Sequence, residues 1–260
     1  MINRYWQDRI AKAQTAISNK NIKQIDRQLR KYYRSAAKSV IEEFENVYYK
    51  ILEQQEKGKQ ITPALLFKLD TYWKTQGQLK RELQKLGDRQ AAALSKRFET
   101  HFFEVYYSYA IQGEKAYSTI DTEAAQQLIN QIWVSDGQSW SNRIWKNTER
   151  LAATLNDALI DCVITGKKPS QLKKALQERF NVSYSQADSL VRTEIAHIQT
   201  EAAKQRYKDY GIDKVQIWAD PDERRCDVCG ELHGKIYRVG AAVPIPAHPR
   251  CRCCIIPVVE

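Results

Sequence analysis

The chain has 260 residues, 28% of them charged and 43% hydrophobic, and a formal net charge of +10. No apolar run reaches the ~18 residues of a membrane span, and the opening MINRYWQDRIAKAQ lacks the apolar centre of a secretory signal. Ten glycines and seven prolines are too few for a collagenous chain, and fourteen tyrosines with six tryptophans are too many for a disordered one.

The charge is uneven. Residues 1–100 hold 21 Lys+Arg against 11 Asp+Glu, whereas residues 101–200 and 201–260 are close to neutral. A basic N-terminal region points to an anionic partner, either nucleic acid or an acidic protein surface, or else to the solvated face of Lys- and Arg-rich helices. Five of the six cysteines lie in residues 226–254, and five of the seven prolines lie in the last forty residues. The chain therefore has two regimes, a helical one followed by a short tail that is irregular or β-rich.

Ile22, Ile25, Leu29, Tyr32, Ala36, Val40, Phe44, Val47 and Ile51 step by three or four, which is the stripe of a long amphipathic helix ending at Gly58. Thr62-Pro63 opens a second helix, with Thr62 as N-cap and a stripe of Leu66, Leu69, Trp73, Leu79, Leu83 and Leu86. A third helix spans about Asp88 to Gly113 and a fourth Asp121 to Val134, followed by a turn at Asp136-Gly137. A fifth carries Ile144, Leu151, Leu155, Leu159 and Val163 and stops at Gly166. Ser170 caps a short helix with Leu172, Leu176 and Phe180. Ser183 or Ser185 caps the last, which bears Leu190, Val191, Ile195, Ile198 and Ala202 and ends at Tyr210-Gly211. Beyond it, 214–218 alternates as a strand does, and 235–237 and 255–259 are short strand candidates, the last an edge strand because of Pro257.

Two ligand-type clusters lie in this tail: Cys226-Asp-Val-Cys229, and His248-Pro-Arg-Cys251-Arg-Cys253-Cys254. One turn of a CxxC points two thiolates at a single ion, and an HxxC pair from a distant loop completes a tetrahedron of the kind that holds structural zinc. The expected ligands are Cys226, Cys229, His248 and Cys251, with Cys253 as the alternative fourth; Cys254 faces the core with the final strand. Disulfides, metal-free reduced cysteines and redox use are the competing readings. A thioredoxin-type CxxC calls for a βαβ pattern that is not visible, and a zinc deaminase calls for H-x-E ahead of P-C-x-x-C, which this order does not provide.

Arg192-Thr193-Glu194 falls within a helix, with His197 on the face of Glu194. These residues read as an ion pair fixing the helix against the tail. Alternatively, Arg192, Glu194 and His197 are an acid–base site beside the metal cluster.

The run Leu190-Val-Arg-Thr-Glu194, Tyr210-Gly-Ile212, Trp218, Asp222-Glu-Arg-Arg-Cys226-Asp-Val-Cys229, Leu232-His-Gly-Lys235 and Pro246-Ala-His-Pro-Arg-Cys251-Arg-Cys253 closely resembles the C-terminal domain of phage minor head proteins of the Mu F-like head morphogenesis family. Ser141-Asn-Arg-Ile-Trp145 resembles that family's entry into the domain, so the resemblance covers about residues 140–257. His233 stands where an acidic residue is expected and adds a competing metal donor; Cys254 is an extra thiol.

The resemblance implies a non-enzymatic minor capsid protein of the virion. It would associate with the portal, with scaffold or coat protein as further partners, and assist procapsid assembly, DNA packaging or DNA delivery. It would form in the host cytoplasm and end inside the phage head, with no membrane contact; the basic helices would meet an acidic portal surface or phage DNA. The rivals are a metal-dependent enzyme acting on nucleic acid or protein, and a toxin-like effector. The sequence stops at Glu260 just after the last strand, which argues against a C-terminal toxin module. The expected architecture is mainly α, with a basic helical region over 1–139 and a small α+β zinc-stabilised domain over 140–260.

Overall fold

The structure, a computed structural model, describes residues 4–58, 62, 66–108, 119–220 and 222–258. It contains α1 (Arg4–Glu56), α2 (Asp70–Tyr107), α3 (Thr122–Ile129), α4 (Trp140–Ile164), α5 (Pro169–Asp209), β1 (Lys214–Trp218), α6 (Asp227–Leu232), β2 (Ile236–Arg238) and β3 (Cys254–Val258). The fold is mainly helical, with long N-terminal helices and a small C-terminal sheet, as the periodicity indicates. The expected helix opening at Pro63, the expected end at Gly113 and the strand residue Val259 lie outside the described residues. No helix among the described residues is long and apolar enough to cross a membrane.

The chain forms two compact units built from separate stretches: Met1–Asp26, Ala93–Trp140 and Asp188–Glu260 in the first, Arg27–Ala92 and Ser141–Ala187 in the second. In the second, the buried stripe of α1 (Leu29, Ala36, Val40, Phe44, Val47, Ile51) shares a core with Leu79, Leu83 and Leu86 of α2, Leu151, Leu155 and Leu159 of α4, and Leu172 and Leu176 of α5. Trp73, placed in the apolar stripe by its spacing, is 59% exposed. Tyr72 takes the buried position and donates to Asn156 Oδ1 at 2.9 Å, while the Trp73 indole donates to the Phe67 carbonyl at 2.8 Å.

Three expected helix boundaries are corrected. The break before Asp88 does not occur, and α2 runs straight through it. Gly87 is there for space: a Cβ would come 2.3 Å from the Trp145 ring. Likewise Ser170 and Ser183 or Ser185 do not cap two helices, because α5 is continuous. Ser183 is an interior position, its carbonyl accepting from Asn147 Nδ2 at 3.0 Å and from the Tyr33 hydroxyl. α1 begins at Arg4, ahead of the apolar stripe that opens at Ile22. Its early buried positions include Gln14 and Asn21, which break the apolar stripe: Gln14 Nε2 donates to the Ile255 carbonyl at 2.8 Å and Asn21 Nδ2 to Glu104 at 2.7 Å.

The third correction is the end of α3; its start and the ends of α4 and α5 hold. Asp121 caps α3 by accepting the N–H groups of Glu123 and Ala124, although that helix stops at Ile129, short of the expected Val134. Gly166 and Gly211, both at positive φ, follow α4 and α5. The sheet has order β2-β1-β3, antiparallel throughout, pairing Gln216 with Ile236 and Trp218 with Cys254. Val215 and Ile217 of the central strand are buried, and β3 with its proline is an edge. Cys254 is buried against Ala11 and Ile256, in the core as expected.

Candidate metal centre

The short helix α6 sets the first donor pair. Cys226 is its N-cap, and its sulfur accepts the Cys229 N–H at 3.5 Å, so one turn turns both sulfurs to one side. The second pair comes from the loop before β3, where Cys251 N–H closes a turn on the His248 carbonyl at 3.1 Å. His248 Nδ1 lies 2.8 Å from the Pro249 carbonyl oxygen, to which an Nδ1–H donates. That tautomer leaves the Nε2 lone pair facing the sulfurs of Cys226 at 3.3 Å and Cys229 at 3.1 Å. Cys229 and Cys251 sulfurs are 3.8 Å apart.

Two donor groups result, Cys226 with Cys229 and His248, and Cys229 with Cys251 and Cys253; within each, all ligand atoms lie within 4.8 Å of one another. Cys229 belongs to both. A tetrahedral zinc with Zn–S of ~2.3 Å sets sulfur–sulfur edges of ~3.8 Å, so the Cys229–Cys251 pair already has the spacing such an ion requires. The residues fit a metal of this class. The electrostatics favour thiolate at two positions: the Cys229 N–H holds the Cys226 thiol below its ordinary range, and a hydrogen bond from Cys253 brings Cys251 down to about 5. Burial pushes Cys229 up to about 12, while Cys253 is raised because it serves as the donor to Cys251. His233 takes no part: its Nδ1 accepts the Ala219 N–H at 3.1 Å and its ring meets Trp218 edge-on.

The Arg192-Thr193-Glu194 run lies on α5 beside this loop. Arg250, between His248 and Cys251, has φ +63°, the left-handed region. Its N–H donates to Thr193 Oγ1 at 3.1 Å, and the Thr193 hydroxyl donates to the Ser189 carbonyl at 2.7 Å. Asp188 receives the Arg250 guanidinium at 3.1 Å and Arg192 Nε at 3.0 Å. Glu194 is buried and accepts the Trp133 indole N–H at 3.1 Å. His197 stacks on the same indole, centroids 4.5 Å apart. Glu194 and His197 thus converge on Trp133, while Arg192 pairs with Asp188.

Asp188 and Arg250 were not visible as functional residues in the sequence; an arginine flanking each of Cys251 and Cys253 is the one local signal. Arg252 makes a two-pronged ion pair with Asp222 at 2.7 and 2.6 Å, tying the loop to the segment ahead of Cys226.

Residues 153–256 match the family described as Phage Mu protein F like protein. This stretch runs from within α4 to β3 and contains every donor of the cluster. The NAD(+)--arginine ADP-ribosyltransferase EFV of Enterococcus faecalis (strain ATCC 700802 / V583) is 28% identical over 142 residues, 48% of this chain and 29% of that protein. The chain therefore spans less than a third of that relative's length. No solved structure matches.

Proposed function

We propose, from the premise that residues 153–256 are a Phage Mu F-like domain, that this chain is a minor head protein of a phage. It associates with the portal vertex and assists procapsid assembly, DNA packaging or DNA delivery, without catalysis of its own. The observation that carries the reading is the domain match over a segment that contains the whole Cys/His cluster. That cluster supplies at least four protein donors, the complement of a closed structural zinc site, whereas a catalytic site keeps a position for water. In this reading zinc is held by Cys226, Cys229, His248 and Cys251 and cross-links the tail.

The basic helices support an anionic partner. Arg27, Lys31, Arg34 and Lys38 are exposed at helical spacing along α1, over ~16 Å of axis. They suit an acidic surface on the portal or the phosphates of packaged DNA.

The relative's name supplies the second reading, that of an enzyme with Arg192, Glu194 and His197 at its site. Against it, the shared segment is a minor part of that protein, and Arg192 is engaged with Asp188.

The test is incorporation. The chain is co-expressed with its phage's coat, scaffold and portal proteins, with and without the portal, and its copies per procapsid are counted by quantitative mass spectrometry. Portal-dependent incorporation at a few copies is expected. Absence from particles in both cases overturns the reading.

A further inference from the structure

We propose that Cys229, Cys251 and Cys253 form a second, three-thiolate site that takes a soft monovalent ion, Cu(I), in competition with zinc. The proposal rests on the zinc reading above only for the competition; the copper site stands on its own donors.

The cluster offers five donors, one more than a tetrahedral ion uses, and they fall into two groups that overlap at Cys229. The groups differ in chemistry. Cys226, Cys229 and His248 mix sulfur with imidazole, and this side is partly open, with Cys226 exposed. Mixed sulfur and nitrogen donors suit zinc. Cys229, Cys251 and Cys253 are all sulfur and all buried, with no carboxylate or imidazole in the group. Pure thiolate sets suit soft ions, Cu(I) among them, and three sulfurs suffice for Cu(I) where a tetrahedral zinc needs a fourth donor.

Three thiolates and one Cu(I) leave a net charge of −2. Cys251 and Cys253 line a cavity of about 220 Å³ whose other walls include Arg192, Arg224 and Arg252 together with Asp220 and Asp222. The cavity also gives an approach to Cys251 and Cys253 from a side lined by α1 and α5 residues such as Ser18 and Gln199. Binding is a ligand exchange in which the thiols lose protons to solvent, Cu(I) gains three Cu–S bonds, and zinc leaves because it loses Cys229 and Cys251. No electron is transferred.

The test titrates the full, zinc-loaded chain with Cu(I) held by a chromophoric chelator under anaerobic conditions. Expected is one Cu(I) bound and one zinc released per chain. Copper uptake with zinc fully retained overturns the overlap. Cys253→Ser is expected to keep its zinc, which also shows that it folds, and to lose copper affinity by more than the ~10–100-fold typical of an outer-shell change. Cys226→Ser is expected to lose zinc and keep copper. If Cys253→Ser binds copper like the parent, or if Cys226→Ser loses it equally, the three-thiol site is refuted. If Cys253→Ser loses zinc instead, Cys253 is the zinc's fourth ligand and the proposal fails. A parent chain that binds no zinc but takes up Cu(I) through Cys253 refutes the zinc reading alone.

Discussion

The Arg250 N–H donates to Thr193 Oγ1 at 3.1 Å, across 57 residues of chain. This contact holds a non-glycine residue in the left-handed region between His248 and Cys251. A non-glycine residue at positive φ costs of order 1 kcal/mol or more and persists where its surroundings over-determine it. Here Thr193 fixes the backbone and Asp188 fixes the guanidinium, so α5 aims the His248–Cys251 turn. Thr193→Val keeps the shape and removes the acceptor. It is expected to weaken zinc binding by about tenfold, as losses of outer-shell partners do, while Thr193→Ser keeps the parent value. Competition against a zinc chelator measures both. Equal affinity in all three proteins would show that α5 does not position the loop.

Zinc itself is the next prediction. Purified without an affinity tag, the chain is expected to carry about one zinc, by analogy with closed structural sites. His248→Ala removes the donor that faces both Cys226 and Cys229 and is expected to lower zinc content well below that. Chelation is expected to loosen β3 and the cysteine loop, seen as faster amide exchange there, because metal binding and folding are coupled in tails with little core. A metal-free, fully protected sample would contradict the structural role.

How legible this was depends on distance along the chain. Cys226 with Cys229, and His248 with Cys251, were readable as pairs because three-residue spacing places donors on one turn. The amphipathic stripes of α1 and α4 were readable for the same local reason. What escaped depends on partners far away. Gln14 and Asn21 hid the start of α1, because their burial makes sense only beside Ile255 and Glu104. Ser183 imitated a cap, because nothing local shows that Tyr33 and Asn147 will occupy its backbone carbonyl. Thr193 drew attention as part of a motif, but Asp188 did not, since its role exists only once Arg250 arrives from the tail.

Gly87 and Gly77 make a matched pair on α2. Ala is the better helix former by ~1 kcal/mol. At Gly77 an added Cβ meets only the far end of the Arg81 guanidinium at 3.6 Å, so Gly77→Ala is expected to stabilise by up to about 1 kcal/mol. At Gly87 the same Cβ would lie 2.3 Å from the Trp145 ring, deep in van der Waals overlap. Overpacking of that kind typically costs ~1–3 kcal/mol and outweighs the propensity gain. Urea denaturation is expected to shift in opposite directions for the two variants. A rise in midpoint for Gly87→Ala would mean that Trp145 moves aside at little cost.

Acid stability follows from two buried imidazoles. His101 is fully buried with Nε2 3.2 Å from the Ile195 carbonyl oxygen, and burial brings its pKa down to about 4. Burial also brings His197, stacked on Trp133, down to about 3. Both values are lowered from 6.5, so between pH 6.5 and about 4 the unfolded chain binds protons that the folded chain refuses. Stability from these groups is therefore full above pH 6.5 and falls as the pH drops, His197 continuing to contribute to the loss down to about pH 3. The combined loss by pH 4 is expected to be on the order of a few kcal/mol. Carboxylates titrate in the same range, so the comparison that isolates the histidines is the parent against His101→Gln and His197→Gln. Each variant is expected to lose less stability than the parent between pH 7 and pH 4.5, measured as urea midpoints. Parallel curves for all three proteins would show that these imidazoles do not carry the acid sensitivity.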